Sequence, residues 1–282
     1  MLIAQITDVH LGFEPDDPAE FNARRLNRVL RWLIDGPNRP DMLLVTGDLT
    51  DRGDADSYRR LANALSQCPF PIHCCLGNHD NRANYRVHFP DATFVDGFNQ
   101  YVVALDGLRL VVLDTLEPGR HGGAFCETRA AWLSAQLAAD SSTPTVIVMH
   151  HPPIEVGIAW MNTDPREPWV VRLVDALAGH DQVKALICGH LHRPVAAQWH
   201  GMTLAACAAT APQVTLDLRP IDPAEPDNRP LVIADSPAYA LHRWSGGQLV
   251  THFDTAAEHI MLAKFDKKLQ PMIESLIAER PR

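Results

Sequence analysis

Ile72-His73-Cys74-Cys75-Leu76-Gly77-Asn78-His79-Asp80 joins an apolar, strand-like run to a turn that gathers an amide oxygen, an imidazole and a carboxylate. Crowding three such groups at one turn is costly unless a hard or borderline cation sits there. Four other blocks repeat the arrangement: Asp8-Val9-His10, Gly47-Asp48, His150-His151-Pro152 and Gly189-His190-Leu191-His192. Each stands at or just beyond the C-terminal end of an apolar run rich in β-branched residues, at 2–7, 42–46, 145–149 and 183–188. In extended backbone, positions i and i+2 face the same way, so Asp8 and His10 are expected to grip one ion together.

Between these runs the apolar spacing turns helical. Phe21, Leu26, Val29, Leu30 and Leu33 predict a helix stopped by Gly36-Pro37, with Asp17 as N-cap, Pro18 at N1 and Glu20 in a capping box. Arg24, Arg25, Arg28 and Arg31 are expected on its solvated face. Further helices are predicted over 54–67, 128–139 and 169–177. Strand, site residue, helix, strand is the rhythm of βαβ units, and ligands bind beyond the carboxyl ends of such strands. Asp106-Gly107 and His200-Gly201 mark hairpins, so antiparallel strands join the sheets. Strands are also expected over 231–234, 239–244 and 248–253. The fold class is therefore mixed α/β. The irregular stretch 155–168, with Trp160, follows a site strand directly and is expected to form a rim for substrate selection.

The chain of 282 residues is 46% hydrophobic and 21% charged, the composition of a globular protein with room for a sizeable core. A net charge of −9, with only 25 Lys and Arg, argues against a nucleic-acid polymer as partner but not against a small phosphate ester neutralised by metal ions. No run is long and apolar enough to span a membrane, and the first residues read as a strand rather than a leader. Three of the six cysteines, Cys75, Cys188 and Cys207, lie inside strand-like runs, so reduced thiols and a cytoplasmic location are expected. Leu262, Phe265, Leu269, Met272, Ile273 and Leu276 predict an amphipathic tail helix over 260–277, suited to packing or oligomerisation. The expected division is a main domain over 1–254, with cap elements around 155–168 and 195–254, and a helical tail over 255–282.

Asp8, His10, Asp48, Asn78, His150, His190 and His192 make seven N and O donors with no thiolate, more than one tetrahedral zinc requires. Seven suit two ions that share a bridging carboxylate, with Mn, Fe, Zn or Co all compatible. Two ions about 3.5–4 Å apart can stabilise both the attacking and the leaving oxygen of an in-line displacement. His150 and His151 are adjacent and cannot leave the strand in the same direction, so either could be the ligand.

The ordered set Asp8-x-His10, Gly47-Asp48, Gly77-Asn78-His79-Asp80, His150 and Gly189-His190-x-His192 resembles the calcineurin-like metallophosphoesterase superfamily. Length, spacing and the stretch Leu241-His242-Arg243-Trp244 most resemble its bacterial class III cyclic-nucleotide phosphodiesterases and glycerophosphodiesterases. That resemblance implies a four-layer αββα sandwich of two mixed sheets flanked by helices. It implies Asp8, His10 and His192 on one ion, Asn78, His150 and His190 on the other, and Asp48 bridging. It favours His150 over His151, because the family's ligand precedes an x-Pro pair. His79 would lie at the substrate phosphate with Asp80 orienting it, and a hydroxide on the ions would attack. The implied activity is hydrolysis of small phosphodiesters, cyclic nucleotides such as cAMP or glycerophosphodiesters, by a homodimer or higher oligomer. A phosphomonoesterase or a nuclease of the same superfamily is the alternative; the nuclease lacks its basic groove here, and seven intact donors speak against a metal-free scaffold. Histidines outside the motifs, among them His121 and His242, are expected to be surface or satisfied core residues.

Overall fold

The computed structural model describes residues 1–280. Strand β1 (Leu2–Ile6) shows how the layers arise. Ile3 packs on one side of the strand and Ala4 and Ile6 on the other, into two different apolar clusters. β2 (Met42–Thr46) repeats this, with Met42 and Leu44 to one side and Leu43 and Val45 to the other. A strand apolar on both faces has to be covered on both faces. β1, β2 and β3 (Ile72–Cys75) run parallel. β12 (Ala238–Ser245) and β13 (Gln248–Thr255) extend this sheet antiparallel beyond β1, in the order β13-β12-β1-β2-β3.

The second sheet has the order β4-β5-β6-β7-β9-β8. It comprises β4 (Tyr101–Leu105), β5 (Leu108–Val112), β6 (Thr145–Val148), β7 (Val183–Cys188), β8 (Val195–Trp199) and β9 (Met202–Ala206). The two expected hairpins close its edges, with Leu105 opposite Leu108 and Trp199 opposite Met202. Leu110, Val112, Val146, Val148 and Ile187 face Ile3 and Leu44 across the gap between the sheets. Outside the first sheet lie α1 (Phe21–Asp35) and α2 (Ala55–Leu65). Outside the second lie α4 (Glu127–Ala139) and α5 (Pro168–Leu177). The architecture is an αββα sandwich of two mixed sheets, as the resemblance implied. A short α3 (Arg82–His88), which the apolar pattern did not announce, is capped by the Asn81 side chain on Asn84 N–H. A two-residue pair, β10 (Gln213–Val214) with β11 (Val232–Ile233), lies outside both sheets.

Three local expectations are corrected. Asp17 does not cap α1: the helix begins after Glu20, whose buried carboxylate accepts from the Gly12 and Glu14 N–H groups and pairs with Arg60. Arg25 is not solvated; its guanidinium is buried and donates to the Thr210 and Ala211 carbonyls. The tail helix α6 spans only Gln270–Ala278, with residues 260–268 irregular and none of the helix buried. Pro271 is the physical reason: it fits the first turn of a helix and would break one running through from 260. Residues 281 and 282, the end of the expected tail segment, lie outside the described residues.

Candidate active site

Both sheets point the C-terminal ends of their parallel strands at one place, and backbone hydrogen bonds lock those ends together. Asp8 N donates to Gly47 O (3.0 Å), Gly189 N to His150 O (3.0 Å) and Ala211 N to Asp8 O (3.0 Å). A Cβ at Gly77 would run into the Asp48 carboxylate and the His150 imidazole, and one at Gly189 into Thr7. These glycines are there because the strand ends approach so closely. Asp8, His10, Asp48, His190 and His192 all have positive φ, between 45° and 69°. Five non-glycine residues in the left-handed region at one site is strain that only a functional arrangement explains. It also corrects the expectation of an extended Asp8-Val9-His10: the chain curls there, with Val9 N and His10 N both donating to Asp48 O.

All seven candidate donors meet at these strand ends. Asp8, His10, Asp48 and His192 offer donor atoms within 4.8 Å of one another, and His150, His151 and His190 form a second such group. Asp48 Oδ2 stands 3.5 Å from His10 Nε2 and 3.3 Å from His150 Nε2, between the two groups. Each outer nitrogen is already tied: His150 Nδ1 donates to Thr46 O (2.8 Å), His192 Nδ1 to Pro212 O (2.7 Å) and His10 Nδ1 to Asp51 Oδ1 (3.2 Å). A neutral imidazole that donates through Nδ1 keeps a lone pair on Nε2. The lone pairs of His10 and His192 therefore face each other at 3.2 Å. Asp8 Oδ1 and His150 Nε2 are buried without a hydrogen bond, each facing a site group 3.3 Å away, His192 Nε2 and Asp48 Oδ2 respectively. Converging acceptors left without a hydrogen bond are what cations satisfy, and the mixed imidazole and carboxylate set fits borderline divalent metals.

The electrostatics tell the same story. Burial would raise the carboxyl of Asp8, but His192 and His150 pull it down to about 2. Asp48 is likewise held well below the usual carboxylate range, mainly by His150, against its own burial. Burial would lower His150, but Asp48 and Asp8 lift it to about 9. His190 and His151, buried beside His150, are pushed well below the ordinary imidazole range.

His150 and His151 separate cleanly. His150 Nε2 points at Asp48, whereas both nitrogens of His151 are engaged, by Thr115 Oγ1 (2.8 Å) and Asn78 Oδ1 (3.2 Å). Asp80 does not orient His79. Its buried carboxylate accepts from Gly77 N, Leu49 N and Tyr58 OH, and so pins the third turn to the second. Burial and the nearby Asp48 push it up to about 7. Asp51 does the orienting: its carbonyl accepts from His79 Nδ1 at 2.8 Å while its carboxylate holds His10. Asp51 lies outside the blocks quoted above, and only its place three residues after Asp48 hinted at it. His121 was missed too, since one histidine on a long loop carries no periodic signal. It lines the cleft, with its ring centroid 4.7 Å from that of His190. His242 proves a satisfied core residue, bonded to Thr251 and to Gln5. The cleft over the cluster encloses about 670 Å³ and is walled by Phe13, Phe21, Trp160, Met161, Val214 and Val232.

A buried cluster of carboxylates and imidazoles at the strand ends of an αββα sandwich defines a metallohydrolase. The chain belongs to the calcineurin-like phosphoesterase family, whose model matches residues 1–194. It is 32% identical over 241 residues to a cAMP/cGMP dual specificity phosphodiesterase of Mycobacterium tuberculosis, covering 81% of this chain and 74% of that one. It is 27% identical over 266 residues to a glycerophosphodiester phosphodiesterase, GpdQ, of Enterobacter lignolyticus, covering 92% of each. Among solved structures, a dimetal phosphatase of Danio rerio superposes with a TM-score of 0.67 at 16% identity, covering 92% of this chain and 97% of that one. The protein is a phosphoester hydrolase of a family that uses divalent metals. Among the described residues no helix is long and apolar enough to cross a membrane. All six cysteines are free.

Proposed function

We propose that the protein hydrolyses small phosphodiesters with two divalent ions, Asp8, His10 and His192 holding one, Asn78, His150 and His190 the other, and Asp48 bridging. The observation that carries this reading is the buried pair Asp8 Oδ1 and His150 Nε2, neither of which has a hydrogen bond, beside Asp48 between two groups of donors. When bound, the ions supply Lewis acidity and an activated water. The chain supplies the rest. The carbonyls of Thr46 and Pro212 and the carboxylate of Asp51 fix the ligand rings before any ion arrives. His79 donates through Nδ1 to Asp51 O, and with a second proton on Nε2 its ring can donate to a phosphate oxygen or pass that proton to the leaving oxygen in the cleft.

Between the two diester classes, the cleft favours a cyclic nucleotide. Phe13 is 63% exposed and Trp160 38% exposed, large side chains held at the mouth with no part in the core. A flat base stacks on such walls, whereas a glycerol headgroup gains little from them. The Arg25 and Arg24 guanidiniums lie 5.2 and 5.8 Å from the Phe21 ring centre, which disfavours a quaternary ammonium there. Assay of cAMP, glycerophosphocholine and bis-p-nitrophenyl phosphate beside p-nitrophenyl phosphate tests both levels. Diesters, with cAMP foremost, should turn over faster than the monoester; a better monoesterase would overturn the reading. A cytoplasmic location and a homo-oligomer complete the proposal, the second to be read by light scattering.

A further inference from the structure

The Asn78 side chain is gripped at both ends. His151 Nε2 lies 3.2 Å from Asn78 Oδ1, and His151 Nδ1 lies 2.8 Å from Thr115 Oγ1. On the other side, Asn78 Nδ2 comes within 3.5 Å of His121 Nδ1, the long limit for a hydrogen bond. An amide oxygen only accepts and an amide nitrogen only donates, so direction is fixed along the whole chain of contacts. The Thr115 hydroxyl donates to His151 Nδ1, His151 Nε2–H donates to Asn78 Oδ1, and Asn78 Nδ2–H donates to His121 Nδ1. His121 therefore carries its proton on Nε2. Among the described residues that nitrogen has no hydrogen-bond partner, and the ring lines the cleft beside His190.

The loop that presents His121 is anchored rather than loose. Arg82 clasps the Asp114 carboxylate with two hydrogen bonds, of 2.8 and 2.7 Å, and Ala124 N donates to Thr115 O at 2.9 Å. Gly123 lets the loop lie directly on His151, where a Cβ would come within 3.0 Å of the histidine's own. His79 leans on His10, at 4.6 Å between ring centres, and His121 leans on His190 at 4.7 Å. Each proposed ion position thus has one free histidine beside it.

We propose that His121 is a substrate-binding residue whose Nε2–H donates to a phosphate oxygen, with Thr115 and His151 as positioning residues that set its tautomer through Asn78. The proposal rests on the phosphodiesterase reading above, and adds to it a second phosphate contact, beside His190.

The test compares wild type, His121→Gln and His121→Phe as manganese-loaded protein, reading metal content, inorganic phosphate affinity by calorimetry, and kcat and KM on bis-p-nitrophenyl phosphate. His121→Phe should keep its ions, bind phosphate about tenfold more weakly and show a raised KM, because one hydrogen bond to an anion is lost. His121→Gln, which keeps a donor, should recover most of both. Unchanged phosphate affinity in His121→Phe overturns the proposal, as does a loss that merely follows missing ions. A wild type inactive on diesters whose phosphate affinity still falls in His121→Phe would sink the phosphodiesterase reading and leave this one standing. For the positioning role, nitrogen-15 imidazole shifts of His121 in metal-free Thr115→Val should move from the Nε2–H tautomer toward a mixture. Wild-type shifts in that variant overturn the relay.

Discussion

Asn78 and His79 are neighbours with separate tasks, and substitution should separate them. Asn78 Oδ1 is the one amide oxygen in the proposed set, so Asn78→Ala should lower occupancy of the second ion and turnover together, with the fold kept. Full metal content and wild-type turnover in that variant would contradict the assignment. His79 offers the cleft a nitrogen without joining either donor set proposed for the ions. His79→Ala should retain its metal and lose about 10²-fold in kcat on a diester with a poor leaving group, the scale of one proton-transfer partner. An unchanged rate would remove that role. Asp51→Ala should weaken the first ion by freeing His10 from the Asp51 carboxylate, and should leave His79 oriented, because the Asp51 carbonyl that accepts from its Nδ1 belongs to the backbone and is retained. The seven donors were readable because each follows a run whose residues are apolar on both faces, which marks a buried strand end. Asp51, His121 and the true work of Asp80 were not readable. Their roles depend on which turn folds against which, and nothing in local spacing encodes that.

At the scale of elements, the strands came through best because burial on two faces leaves an unbroken apolar run, as in β2 and β6. Helix starts came through to within a residue for α2, α4 and α5, and failed for α1 and the tail helix. The Asp17-Pro18-Ala19-Glu20 stretch has the local chemistry of a cap, yet Glu20 is claimed by Gly12 and Glu14 from the site loop, and tertiary contacts win over the local motif. The 155–168 stretch, expected as a rim, does reach the cleft: its single turn of 3-10 helix, Ala159–Met161, sets Trp160 in the wall. Trp160→Ala and Phe13→Ala should therefore raise KM for cAMP several-fold and leave that for glycerophosphocholine little changed; each lost stacking face is worth about 0.5–1.5 kcal/mol. Equal effects on cAMP and on glycerophosphocholine would show that the walls do not read a base.

Across the whole molecule, the two sheets are tied by a buried polar link. Gln5 Nε2 donates to Cys188 O (2.8 Å) and Thr46 Oγ1 (2.7 Å), and its Oε1 accepts from His242 Nε2 (3.0 Å). His242→Leu would strand that oxygen and should cost about 1–3 kcal/mol in urea unfolding. The metal-free protein should also show a pH signature. His150 rises to about 9 in the fold, so its pairing with Asp48 is fully present below the ordinary imidazole value of 6.5 and is lost as pH climbs through 9. His151 and His190 shift the other way, and their contribution is already constant above 6.5. Between pH 7 and 10 the melting temperature of chelated protein should fall, while metal affinity rises as the proton on His150 ceases to compete. A flat melting temperature over that window would contradict the His150–Asp48 pairing.

Stoichiometric metal titration of chelated protein, followed by cAMP turnover, tests the central claim most directly. The account expects two manganese ions bound per chain, with turnover appearing as the second site fills and abolished again by chelator. One ion per chain at full activity, or turnover indifferent to chelation, would contradict it.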